Sequence, residues 1–359
     1  MFKTLVLLFV LSISTLKAEE NSDYSSIYDE TQKNCSEEPK RSCPTETEPC
    51  CKTPPPPSTA AYNAPARIDV CDSTDIYFTA SFIYWKIEEN IFVSKFQATD
   101  SVTTNNRSHF STMNYDYKPG FKIGLGYNFE YDDWNAYIEY TWYHATNSVS
   151  RTRPSWASFM APVYNRTTTT SGSEIDFKLK LDYDFINLDL SRWQYEGQKL
   201  LLKALIGLHG SWLDQDITSA FNLNGLNITN NALFAIKQWA IGPRIGFFYK
   251  WKLLDCFSIT GKGTTALLYQ KFTKIFLKQD DQDTSPAGPT TLTTTERKRS
   301  SVNGLFELML GLEFDKYFDR NKYHFNCSAG YDLHGLASHL LPPGWLALHG
   351  LTLTARFDF

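Results

Sequence analysis

Nowhere do the 359 residues hold the ~20 consecutive apolar positions that a membrane-crossing helix needs. The longest candidate, Thr4 to Leu11, is too short, so no helical span is expected. Leu-rich helical periodicity is missing too. An excess of one charge is also absent: 35 Lys and Arg against 39 Asp and Glu leave a net charge of −4. That balance offers no electrostatic handle for nucleic acid or for anionic lipid headgroups. The five cysteines between 35 and 71 form no paired CxxC knuckles and have no histidine beside them, so no metal site is expected. No catalytic motif frames any histidine, and nothing calls for a cofactor. What the chain has instead is 15% aromatics with abundant Thr, a composition that favours β structure.

Lys3 followed by an apolar run and then small and polar residues to Leu16-Lys17-Ala18 reads as a secretory signal peptide over 1–18. Leu16 is a poor residue two before the cut, and no cysteine follows the cut to carry a lipid. An exported chain without a helical span enters a membrane only as a closed barrel, because backbone polar groups must be satisfied internally there. Residues 19–72 then read as a flexible arm. Acidic and small polar residues dominate, Pro54 to Pro57 form a polyproline II spacer, and too few apolar side chains offset ordering entropy. Cys35, Cys43, Cys50, Cys51 and Cys71 are disulfide candidates in an exported segment, either stapling the arm or cross-linking it to other envelope proteins. With Cys256 and Cys327 the count is odd, which leaves a thiol free or paired with another molecule.

From 73 to 359 a period-2 alternation of apolar and polar residues recurs. Phe121, Ile123, Leu125, Tyr127 and Phe129 alternate with Lys122, Gly124, Gly126, Asn128 and Glu130. The last stretch, Leu351 to Phe359, does the same and ends on a Phe, as the closing strand of bacterial outer-membrane barrels does. Phe359 is thus the candidate signal for the barrel assembly machinery. Connections alternate long and short, which a soluble sandwich does not require and a bacterial barrel does. The expected fold is all-β, a transmembrane antiparallel barrel of about ten strands, or twelve if Asp75–Gln97 is a hairpin turning at Glu88-Glu89-Asn90. Its partner is outer-membrane lipid, both barrel ends lie on the short-turn side, and the arm is placed in the periplasm. A homo-oligomer is compatible with this reading.

The stretches Phe78 to Trp85, Gly120 to Tyr127, Asp132-Asp133-Trp134 leading to Tyr140-Thr141-Trp142, Gly242-Pro243-Arg244, Ala266-Leu267-Leu268 and Gly350 to Phe359 resemble the Legionella-type major outer membrane protein family, also found in chlamydia-related bacteria. The resemblance implies an outer-membrane, porin-like barrel, with cysteine cross-linking in some envelope proteins of this kind. The Cys/Pro-rich arm departs from a simple barrel pattern.

The polar faces, expected to point inward, carry Lys122, Glu139, Lys178, Lys180, Asp182, Lys203, Arg244, Lys262, Glu307, Glu313, Asp332 and Arg356. Charges inside a barrel need water or partners, so the lumen is either a hydrated passage or a plug laced with ion pairs. Ten strands lie near the small end of the range, where side chains nearly fill the interior. The expected function is passive diffusion of small hydrophilic solutes with envelope support through cysteine cross-links. The alternative is a structural or surface-recognition barrel, adhesin-like, with a plugged lumen. A barrel hydrolase would need His with Asp or Ser converging at a rim. Of His109, His144, His209, His324, His334, His339 and His349, the last three lie near Asp332 and Ser338 without a framing motif, so no enzyme is expected.

Overall fold

A computed structural model describes residues 70 and 74–359, apart from 90, 99–106, 130–133, 158, 163–171, 197–198, 224–228, 255, 282–289, 297–298, 320–321 and 338–344. The expected signal peptide and the arm with its five cysteines lie outside the described residues. No helix among those residues is long and apolar enough to cross a membrane. They hold strands β1 (Ile76–Glu88), β2 (Phe92–Ala98), β3 (Arg107–Thr112), β4 (Lys118–Asn128), β5 (Trp134–Thr152), β6 (Phe159–Pro162), β7 (Gly172–Glu196), β8 (Leu200–Leu223), β9 (Thr229–Lys252), β10 (Phe257–Asp281), β11 (Thr290–Glu296), β12 (Arg299–Phe318), β13 (Tyr323–Leu336) and β14 (Leu346–Asp358).

Ten of them close into a ring in the order β10-β12-β13-β14-β1-β4-β5-β7-β8-β9, and β9 pairs back to β10. Every pairing in the ring is antiparallel. Closure leaves no free edge in the ring, the requirement for backbone amides in lipid. The first and last strands meet, Tyr77 opposite Asp358, and Thr74 donates from its N–H and its hydroxyl to the Phe359 carbonyl (3.2 and 2.8 Å). β11 keeps the phase of β12 along β10, with Glu296 opposite Ile275 and Arg299 opposite Phe272, so it prolongs that ladder.

Asp75–Gln97 is neither one barrel strand nor a barrel hairpin. β1 stops at Glu88, where its neighbours also run out: its last partner on β4 is Lys118 and on β14 is Ala347. With no ladder to continue, the chain leaves the wall, and β2 pairs with β3 and β6 in a separate small sheet.

The wall has two tiers. Toward the short-connection rim the outward face is apolar, with Phe78, Phe82, Phe121, Ile123, Leu125, Ile206, Ile245, Phe247, Leu310 and Leu353 exposed. The inward face there is polar. Toward the other rim the chemistry changes over without any slip in register. On β7, Ile186, Leu188 and Leu190 point outward opposite inward Asn187, Asp189 and Ser191. One turn of the pleat further up, Ile175, Phe177, Leu179, Leu181, Tyr183 and Phe185 are all buried inward. On β5 the change falls at Trp142-Tyr143, and on β1 at Tyr84-Trp85.

Aromatics mark the boundary outside. Tyr84 stacks on Tyr117 (5.4 Å), Phe121 on Trp142 (5.4 Å), and Trp239 packs on Tyr269 (6.0 Å). Trp134 and Trp142 are both on β5. Their separation is roughly 26 Å along the strand, or about 20 Å once a ~40° tilt is allowed for, close to the apolar band of a bacterial barrel.

One backbone approach is unusually tight. The β9–β10 pairing lapses opposite Leu267 and Leu268, where Pro243 offers no N–H. A Cβ on Gly242 would sit 1.9 Å from the Leu267 carbonyl oxygen. Gly242→Val is therefore expected to collapse the yield of folded barrel, read as loss of the fast-migrating unheated band on a gel. An unchanged yield would contradict the close approach.

Candidate functional site

The two tiers divide the lumen into an apolar lid and a polar chamber. The lid is built from the inward faces of the upper strands: Ile83 and Trp85 of β1, Tyr143 of β5, Tyr183 and Phe185 of β7, Leu268 of β10, Leu305 of β12 and Leu348 of β14, each at most 2% exposed. Val93 of β2, Met113 and Met160 of β6 pack into the same cluster, so the small sheet adds to it. Its underside spans the barrel. β7 and β13 are five strands apart in either direction round the ring, yet the Tyr183 hydroxyl and His334 Nε2 are hydrogen-bonded at 3.0 Å. Phe185 stacks on the His334 ring at 4.9 Å, and the Trp85 ring lies nearly parallel to it at 6.5 Å. His334 Nδ1 in turn meets Glu307 at 3.1 Å. Side chains from opposite walls thus touch across the lumen at this level.

Below lies a cavity of about 270 Å³, most of whose charges are paired. Lys122 reaches Asp332 (2.7 Å), whose carboxylate also accepts from Thr352 (2.8 Å). Lys250 meets both Glu313 (2.5 Å) and Asp315 (2.6 Å). Arg356 binds Asp358 (2.6 Å) and lies 3.6 Å over the Tyr77 ring. His324, fully buried, sits between Asp358 (2.8 Å) and Asp315 (3.3 Å). Arg244 bridges Glu307 (2.7 Å) and Asp189 (3.3 Å), itself only 1% exposed. Such pairing is what charges in a low-dielectric interior require.

Of the charges expected in the lumen, Lys122, Glu139, Lys203, Lys262, Glu307, Glu313, Asp332 and Arg356 line the cavity, and Arg244 is buried beside it. Lys178, Lys180 and Asp182 do not. They alternate with the buried Phe177, Leu179 and Leu181, so they face outward, and Lys180 pairs with Asp182 there (2.5 Å). The assignment fails because β7 was read with one polarity along its whole length, whereas apolar means inward in the upper tier. Two adjacent apolar residues, Phe185-Ile186, carry the signal for that change. The lid itself was missed for the same reason.

His209 and His334 approach each other, their ring centroids 6.3 Å apart. His334 faces the lid, His349 points outward to the Tyr331 hydroxyl (2.5 Å), and His339 and Ser338 lie outside the described residues. Among the described residues no group of three or more His, Cys, Asp or Glu is placed to hold a metal ion. Cys256, just past β9, is disulfide-bonded, and Cys327 is free on the outer face of β13.

A family profile described as Legionella pneumophila major outer membrane protein precursor matches residues 70–336, covering the ring from β1 through β13. The chain belongs to that family. This major outer membrane protein relative is therefore a barrel of the outer membrane. No curated protein is a significant match. Among solved structures, the outer membrane protease OmpT of Escherichia coli is 10% identical with a TM-score of 0.42, over 82% of this chain and all of that one. The toluene transporter TodX of P. putida is 9% identical with a TM-score of 0.27, over 79% of this chain and 90% of that one. A FadL homologue of Pseudomonas aeruginosa is 7% identical at 0.26, over 80% and 90%. Likeness at this level carries nothing about substrate or reaction.

Proposed function

We propose that this protein is a structural, surface-presenting outer-membrane barrel whose lumen is plugged rather than a diffusion pore. The observation that carries this reading is the Tyr183–His334 hydrogen bond from one wall to the opposite one, roofed by buried aromatic and aliphatic side chains. A hydrated path for small hydrophilic solutes would need open width at that level, and the Tyr183–His334 contact with its stacked rings crosses the lumen there. The plugged lumen supports the alternative that the sequence offered over simple porin diffusion.

In this proposal the long-connection tier stands outside the cell, the short-connection rim faces the periplasm, and Phe359 is offered to the assembly machinery. The cysteine arm supplies the envelope support. Planar-bilayer recording on the refolded full chain tests the central point: the native barrel is expected to give no conductance steps, and regular steps would overturn the proposal. For the arm, non-reducing gels of intact envelopes should show high-mass bands that collapse to monomer on reduction. A monomer band without reductant would rule cross-linking out.

A further inference from the structure

The chamber contains one row of side chains that takes no part in its short ion pairs. Trp193 of β7 is opposite Lys203 of β8, Lys203 is opposite Phe248 of β9, and Phe248 is opposite Lys262 of β10. All four side chains line the cavity. They form an inward row across four adjacent strands, in which aromatic and cation alternate.

The cations of that row differ from the others in the chamber. Lys122, Lys250, Arg244 and Arg356 each hold a carboxylate at 2.7 Å or less. Lys262 has only Asp189, at 3.6 Å. Among the described residues Lys203 has no carboxylate within the 4.0 Å that defines an ion pair. Its ammonium lies instead over the rings of Trp193 (5.3 Å) and Phe248 (5.9 Å). Contacts of that kind neutralise no charge and are individually weak beside a carboxylate pair. Strands are ~4.8 Å apart, so the two lysines stand about 10 Å apart at the backbone with one ring between them. The row lies low on each strand, three residues from the start of β8 and five from that of β10. It is therefore near the short-connection rim and below the lid.

We infer that this row is a binding site for a small aromatic monocarboxylate, entered from the short-connection side. The carboxylate would take Lys203, with Lys262 as a second, more distant cation, and the ring of the ligand would lie against Trp193 and Phe248. A cavity of about 270 Å³ falls just below the ~300–1,000 Å³ typical of sites for drug-sized ligands, which sets the size class. The lid above makes the chamber a dead end, so occupancy here means binding rather than passage.

The test uses the full chain, refolded in detergent, with benzoate, benzamide and benzylammonium as probes in isothermal titration calorimetry at neutral pH. Benzoate is expected to bind saturably, with benzamide at least about tenfold weaker, a difference of ~1.4 kcal/mol, and benzylammonium not at all. Lys203→Met should cost benzoate about tenfold or more while leaving benzamide unchanged. Lys203→Arg should retain most of the affinity, and Lys262→Met should lose less than Lys203→Met. Equal affinity for benzoate and benzamide in the native barrel would overturn the proposal, and that comparison needs no variant to fold. No saturable benzoate binding, or a Lys203→Met protein that is folded and binds benzoate normally, would do the same. None of these outcomes bears on conductance, so this site and the plugged lumen fail separately.

Discussion

Replacing Tyr183 and Phe185 together by Ser is expected to turn a silent barrel into a conducting one. These two side chains provide the span between opposite walls, Tyr183 by its bond to His334 and Phe185 by stacking on the same ring. Both are at most 2% exposed. Each loss of a buried aromatic leaves a void that costs about 3–5 kcal/mol when it stays empty. Here the void would adjoin a polar chamber, so water can enter it and offset part of that cost. The same water would connect the chamber to the outer tier. Single-channel recording should show discrete steps for the double variant and none for the native protein. A Lys180→Ser control, altered on the outer face of the same strand, should stay silent. If the double variant folds, as judged by its unheated gel mobility, and still passes no current, the lid is not what closes the lumen.

The second large effect concerns Arg244. Its guanidinium bridges Glu307 and Asp189, and Thr264 donates to the same Glu307 carboxylate at 2.6 Å. Arg244→Met would leave two carboxylates in the barrel interior without their strongest partner. Breaking a buried pair from one side costs about 3–5 kcal/mol, because the remaining charge is uncompensated. The midpoint of urea unfolding should fall accordingly. Adding Glu307→Gln and Asp189→Asn should restore most of the loss, since neutral amides need no counter-charge. Arg244→Lys should fall between, as one ammonium cannot serve two acceptors in a fixed fork. An Arg244→Met barrel that unfolds at the native urea concentration would show that water already screens this cluster.

Much of the wall was legible in the sequence. All ten ring strands begin within two residues of where the alternation starts, β14 at Leu346 and β5 at Trp134 among them. The lower tier reads correctly because its apolar face is the exposed one and its polar face meets the chamber, the arrangement that period 2 implies for a membrane barrel. The upper tier was misread because the same alternation has the opposite meaning outside the bilayer, where the barrel keeps a core of its own as a soluble protein does. Lys178 and Lys180 fell on the wrong side for that reason. β2, β3 and β6 were not foreseen, since four to seven residues of edge pairing leave almost no periodicity to detect. The row Trp193-Lys203-Phe248-Lys262 was invisible for another reason: it exists only across strands, and only the register brings its members together.

The phase that β7 keeps from Ile175 to Ser191 has a cost for how this wall can vary. Because both tiers share that phase on β7, dropping or adding a single residue inside it would put grease into the chamber, charge onto the apolar outer band and lysines into the plug, all in one step. Point replacements stay local, whereas a length change is a global event. Such changes are therefore tolerable only in the connections, and the long ones at the outer rim are where the molecule is free to be remodelled.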